Sequence, residues 1–177
     1  MVLRDLQSYR QLKQKPPEIR PLMWRDMPSL HACYDIIAKE RQFVRHTQAP
    51  AYDVFCRQRM AHYGDDIQYI AHDCEKVVGY CDINRDRDGE QYAHCGELHI
   101  GIHPQYRGLG VGRRLLETAI RQAQQRGIER IALHALADNA VAIHMYEKFG
   151  FEHEGIHRNV WKIGDHYRDA VSMALVT

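Results

Sequence analysis

The chain of 177 residues carries 45% hydrophobic and 27% charged side chains, a balance that suits one domain with a sizeable core. Its formal net charge of +1 argues against the clustered Lys and Arg excess with which nucleic-acid binders hold phosphates. No run approaches the roughly 18 apolar residues that cross a bilayer, so the expected partner is a small molecule, with neither nucleic acid nor membrane.

Met1-Val2-Leu3-Arg4-Asp5-Leu6 places no long apolar region behind a basic start, and a cytoplasmic location is expected. Five cysteines (Cys33, Cys56, Cys74, Cys81 and Cys95) form an odd set without a C-x-x-C pair, which fits reduced thiols. Glu97, His99 and His103 would share one face of a strand, yet no H-E-x-x-H or Cys/His ligand spacing occurs, and no metal is expected.

Residues 1–15 are polar with Leu3, Leu6 and Leu12 interspersed, and Pro16-Pro17 stops any helix there. Residues 1–17 are therefore read as an N-terminal extension and 18–177 as a single domain. A short strand over 18–22 leads to a helix opened by Asp26-Met27-Pro28, in which Leu30, Cys33, Tyr34 and Ile37 recur at helical spacing. Residues 41–52 are irregular, and a second helix runs from Asp53 to His62, in a region placed to border an acceptor pocket. Three consecutive antiparallel strands follow over 67–72, 77–83 and 93–103, with turns at Asp73-Cys74-Glu75 and across the charged stretch 84–90. Between Gly108 and Gly127 a helix lines Val111, Leu115, Ala119, Ile120 and Ala123 along one face. Beyond it come a strand over 131–136, a helix over 139–149 stopped by Gly150, and a hairpin of 151–161 with 167–176 turning at Gly164-Asp165. The elements add up to a mixed α/β (α+β) fold.

A strand ending at Ile102-His103-Pro104 runs through the glycine-rich Arg107-Gly108-Leu109-Gly110-Val111-Gly112 into a helix. Free backbone N–H groups and the positive end of the helix converge there, a natural seat for phosphate oxygens. A Walker A loop would need Lys-Ser/Thr, where this chain has Arg113-Arg114, and a dinucleotide fingerprint belongs on the first strand of a parallel unit rather than after a meander.

In that context the residues resemble the GNAT superfamily of acyl-CoA-dependent N-acetyltransferases. Its [Q/R]-x-x-G-x-[G/A] motif is matched by Arg107, Gly110 and Gly112. Leu98-His99-Ile100-Gly101-Ile102-His103-Pro104 resembles the family's central strand, and Asp138-Asn139-Ala140 with Tyr146-Glu147-Lys148-Phe149-Gly150-Phe151 its second motif. The resemblance spans about 18–176 and is sharpest over 97–151. It implies a mostly antiparallel sheet of six to seven strands flanked by about four helices, and acetyl-CoA as cosubstrate. The tail, Phe151-Glu152-His153-Glu154-Gly155 with Gly164-Asp165-His166-Tyr167-Arg168-Asp169 and Met173-Ala174-Leu175, resembles a branch that acetylates small amines, including amino acids and amino-acid-like herbicides. That hairpin serves homodimer packing or substrate choice.

N-acetylation needs a neutral amine beside a thioester, a stabiliser for the oxyanion and an acid for the departing thiolate. The resemblance implies that the central strand splays near Ile100, Gly101 and Ile102, that Arg107, Gly108, Leu109, Gly110, Val111, Gly112 and Arg113 hold the cofactor, that Asn139 contacts it, and that Tyr146 also lines it as general acid. Asn139 and Tyr146 lie seven residues apart, two turns along one helix face. Three candidates stand for the base: His134, Glu97 and His99, the carboxylate acting directly or through water. The acceptor is read as a small primary amine, with a protein N-terminus or lysine as the alternative and a non-catalytic acyl-CoA-binding module as a third.

Overall fold

The computed structural model describes residues 15–42, 46–61, 63–74 and 76–177. Most of the expected N-terminal extension, the expected helix end at His62 and the turn residue Glu75 lie outside the described residues. Among those residues the strands are β1 (Glu18–Pro21), β2 (Ile67–Asp73), β3 (Lys76–Arg85), β4 (Cys95–Ile102), β5 (Arg130–Leu136), β6 (Glu152–Ile163) and β7 (His166–Val176), in the sheet order β1-β2-β3-β4-β5-β7-β6. The helices are α1 (Met27–Lys39), α2 (Tyr52–Met60), α3 (Val111–Gln125) and α4 (Ala140–Lys148). Only β4 with β5 is parallel, and the other neighbours pair antiparallel.

Both faces of the sheet are covered. On one, α3 buries Val111, Leu115, Leu116, Ala119, Ile120 and Ala123 against Val78, Cys81, Ile83, Leu98, Ile131 and Leu133. On the other, Leu30, Cys33 and Ile37 of α1 and Phe55 of α2 pack on Ile70, Val77 and Tyr80. A residue such as Leu115, with no exposed surface, gains about 1.5–3 kcal/mol from leaving water. Pro28 sits in the first turn of α1, where its missing N–H costs nothing, and Gly127 at φ +74° follows α3.

The charged stretch expected as a turn over 84–90 is shorter than that. β3 continues through Asn84 and Arg85, which pair with Glu97 and Gly96, and the Arg85 N–H donates to Asp66 at 3.0 Å. Tertiary pairing thus extends a strand that local polarity appears to end. Conversely, Ala93 belongs to a 3-10 turn over Glu90–Tyr92, its N–H bonded to the Glu90 carbonyl at 3.2 Å, so β4 begins at Cys95.

The feature that positions the site is a gap in the sheet. β4 and β5 pair only at Cys95↔Arg130, Gly96↔Ile131 and Glu97↔Ala132. Beyond Glu97 they part, while β4 stays with β3 to Gly79↔Ile102 and β5 with β7 to Leu136↔Ala170. The splay thus opens from Leu98, earlier than the stretch 100–102 suggested by the resemblance.

Candidate active site

The splay widens into a cavity of about 1070 Å³. Its floor is β4, one end is the glycine loop, and its walls come from α1 and α2 on one side and from β5, α4 and the β6–β7 hairpin on the other.

At the loop, Gly108 and Gly110 take φ +73° and +75°, and a Cβ at either would meet nothing within 4 Å. Backbone conformation, rather than space, therefore requires glycine there. The first ladder bond of α3 runs from the Arg114 N–H to the Gly110 carbonyl at 3.2 Å, so the N–H groups of Val111, Gly112 and Arg113 stand ahead of it at the positive helix end. Arg107 braces this turn: its Nε donates to the Ile102 carbonyl at 3.1 Å and its guanidinium pairs with Glu40 beyond α1. Arg107, Gly108, Gly110, Val111, Gly112 and Arg113 line the cavity, whereas Leu109 is 56% exposed and is not among its lining residues.

Along the floor, Ile100, Gly101 and Ile102 are bare of β5 and line the cavity. Gly101 is dictated by packing, because a Cβ there would fall 2.6 Å from the ring of the buried Tyr80. Backbone polar groups on the β5 side of β4 are thereby left for a ligand that can complete the sheet.

Asn139 caps α4, its Oδ1 accepting from the Ala142 N–H at 3.3 Å, and lines the cavity with Tyr146. Tyr146 is 6% exposed, its ring tilted against Phe151 at 5.7 Å, and its hydroxyl bonds to no described residue. Burial, with Cys81 nearby, pushes the phenol well above its ordinary value, so it stays protonated.

The three base candidates converge. Glu97 lies 3.7 Å from His99 Nε2 through one oxygen and 3.7 Å from His134 Nδ1 through the other. These separations are electrostatic contacts rather than direct hydrogen bonds. His103 lies apart from this trio, its Nδ1 accepting from the Gln105 N–H at 3.3 Å, and among the described residues no group could hold a metal ion.

Sequence reasoning missed several groups. His157 of β6 meets His134 edge-on at 5.1 Å. Arg59 of α2 and Asp82 of β3 form an ion pair whose side chains are 14% and 5% exposed, with Arg59 4.9 Å above the Tyr80 ring. Burial lifts the Asp82 carboxyl above the usual range while Arg59 draws it back. Beside them Gln68 gives its Nε2 to the Arg59 carbonyl at 2.9 Å, and its Oε1 is buried without a partner among the described residues. Tyr34, Phe55 and Trp161 supply aromatic wall. The expectation that residues 41–65 border this chamber could be read from the chain; the pairing of Arg59 with Asp82, 23 positions away, could not.

A helix start with free N–H groups, a splayed sheet, and a buried phenol that lines one cavity with a carboxylate and two imidazoles are parts that acyl transfer can use. The chain belongs to the acetyltransferase (GNAT) family, whose model matches residues 30–151. It is 40% identical over 78 residues to the [ribosomal protein bS18]-alanine N-acetyltransferase of Escherichia coli (strain K12), covering 44% of this chain and 53% of that protein. To the mycothiol acetyltransferase of Saccharomonospora viridis it is 32% identical over 127 residues, 66% of this chain and 41% of that one. The matched stretches thus span about half the length of these curated relatives.

Among solved structures, a ribosomal-protein-alanine N-acetyltransferase from Brucella melitensis superposes with a TM-score of 0.84 at 24% identity, covering 90% of this chain and 99% of that one. A phosphinothricin acetyltransferase from Sinorhizobium meliloti in complex with acetyl-CoA reaches 0.84 at 18% identity, over 90% and 88% of the two chains. These likenesses show the shared fold: a seven-stranded, mostly antiparallel sheet with helices on both faces.

Proposed function

We propose that this protein transfers an acetyl group from acetyl-CoA directly to the primary amine of a small molecule, an amino acid or related compound, and that residues 18–177 form the acetyltransferase domain. One observation carries the reading: a single cavity runs from the glycine loop, past Tyr146, to Glu97, His99 and His134. The loop fits a pyrophosphate, since its N–H groups point from a helix start and two of its glycines hold positive φ. Bound acetyl-CoA supplies an activated acyl thioester.

The protein's own groups do the rest. Backbone of Ile100–Ile102 orients the acyl arm and Asn139 contacts it, while Glu97, alone or through water with His134 or His99, takes a proton from the acceptor nitrogen. Tyr146 Oη gives its proton to the departing sulfur. Apolar wall from Pro50, Phe55, Val160 and Trp161 lines this one chamber, which supports a small acceptor. A peptide N-terminus is the second reading, favoured by the bS18-alanine acetyltransferase among the relatives.

Acetyl-CoA turnover across a panel of amino acids, polyamines and short peptides tests both. Acetylation of free amines well above peptides supports the first reading, and the reverse order replaces it with the second. His134→Ala tests the base: an unchanged low-pH limb of kcat/KM removes His134 from the role.

A further inference from the structure

Arg59 and Asp82 form a buried pair in the acceptor half of the cavity, with no part in the cofactor loop. The Arg59 guanidinium lies 4.9 Å from the Tyr80 ring centroid and 5.4 Å from that of Phe55. One terminal nitrogen bonds to Asp82; no other guanidinium nitrogen has a partner among the described residues, and none is sealed from solvent. Arg59 lines the cavity with these donors left over. Asp82 pairs across the strands with Gln68 on one side and with His99 on the other. The row Gln68, Asp82, His99 thus leads from Arg59 toward Glu97.

A planar guanidinium held between aromatic faces, with an unfilled fork, matches a carboxylate in shape and charge. A carboxylate alone would add a net negative charge beside Asp82, at a high desolvation cost. A zwitterion adds none: its carboxylate meets Arg59 and its ammonium is balanced by Asp82. We propose that the Arg59–Asp82 pair reads the acceptor as an amino-acid zwitterion, Arg59 anchoring its carboxylate and so placing its nitrogen beside His99 and Glu97. This rests on the small-amine reading above and adds to it the residue that enforces it.

The test compares the twenty common L-amino acids, β-alanine and 4-aminobutyrate with their carboxamides, which keep the amine and lose the anion. Binding to the CoA-loaded protein is measured by calorimetry, and acetylation is measured in parallel. At least one acid is expected to exceed its amide by roughly 10-fold or more, the worth of one charge-assisted bond. Arg59→Met with Asp82→Asn, which leaves no lone buried charge, is expected to abolish that preference through KM while still binding CoA. Arg59→Lys is expected to keep part of it.

Acids and amides that bind alike to the parent, a preference that survives in the double variant, or no carboxylate-dependent binding at all would overturn the anchor. Acid-selective binding without acetylation of any amine would instead overturn the transfer reading and leave the anchor standing.

Discussion

Tyr146 is held by packing rather than by hydrogen bonds, its ring buried against Phe151 while the residue lines the cavity. Replacement by Phe removes no hydrogen bond to a described residue and keeps the ring, so stability and acetyl-CoA affinity are expected to hold. What the proposed mechanism would lose is the proton for the leaving sulfur, worth about 10²–10⁴-fold for a positioned acid. Tyr146→Phe is therefore expected to lower kcat by that order with little change in KM, read by steady-state kinetics alongside a denaturant melt. A kcat within a factor of about two of the parent would leave the phenol no role as acid. At this scale legibility depended on sequence distance. Asn139 and Tyr146 share one helical segment, so their spacing alone aligned them, whereas His157 reaches His134 only through the β5-β7-β6 order. Arg59 likewise meets Asp82 only because its long side chain reaches from α2 to β3 in the folded chain, which no local pattern encodes.

Elements were legible where periodicity was strong and blurred where pairing decided. The stripe of α3 marked that helix, and the glycines after α3 and α4 marked their ends, but Asn84 and Arg85 read as turn and became strand. Two element-level consequences follow. At Gly110 a left-handed residue starts α3, and an added Cβ there costs about 1–2 kcal/mol in conformation with nothing gained in packing. Gly110→Ala is expected to lower stability by that amount, or to shift the turn and weaken acetyl-CoA binding; urea melts and calorimetry distinguish the two routes.

The start of α1 is pinned to β1 by Arg20, which gives Asp26 two bonds of 2.6 and 2.8 Å, while the Met23 N–H donates to the same carboxylate at 2.9 Å. The Arg20 bonds hold Asp26 below the ordinary carboxylate range, against burial, and the Met23 bond adds to them. A depressed folded pKa stabilises above the unfolded value near 3.9 and ceases to as pH falls through the folded one. Asp26→Asn is expected to cost roughly 1–3 kcal/mol at neutral pH and to flatten the fall in melting temperature below about pH 4. A parallel fall in variant and parent would show that other carboxylates govern acid unfolding.

At the scale of the whole molecule the splay divides the sheet into a β1–β4 half and a β5–β7–β6 half, joined directly by three residue pairs. The resemblance implied a splay; where it opens depended on long-range register, which local sequence does not set. A ligand lying in the gap touches both halves, with the loop before α3 on one side and Asn139 and Tyr146 on the other. Its binding energy therefore adds to the stability of the undivided sheet. At a concentration about 100 times its dissociation constant, acetyl-CoA is expected to add about 2.7 kcal/mol, which for a chain of this size raises the melting temperature by roughly 5–10 °C. Pantetheine lacks the pyrophosphate and leaves the N–H groups of Val111, Gly112 and Arg113 unused, so at the same concentration its shift is expected to be smaller. Hydrogen exchange locates the effect: amides of Leu98–Ile102 on β4 and Leu133–Leu136 on β5 should slow together, while β1 and β2, away from the gap, change little. Slowing confined to the loop would mean that the cofactor is held by its phosphates alone and that the two halves of the sheet are not coupled through it.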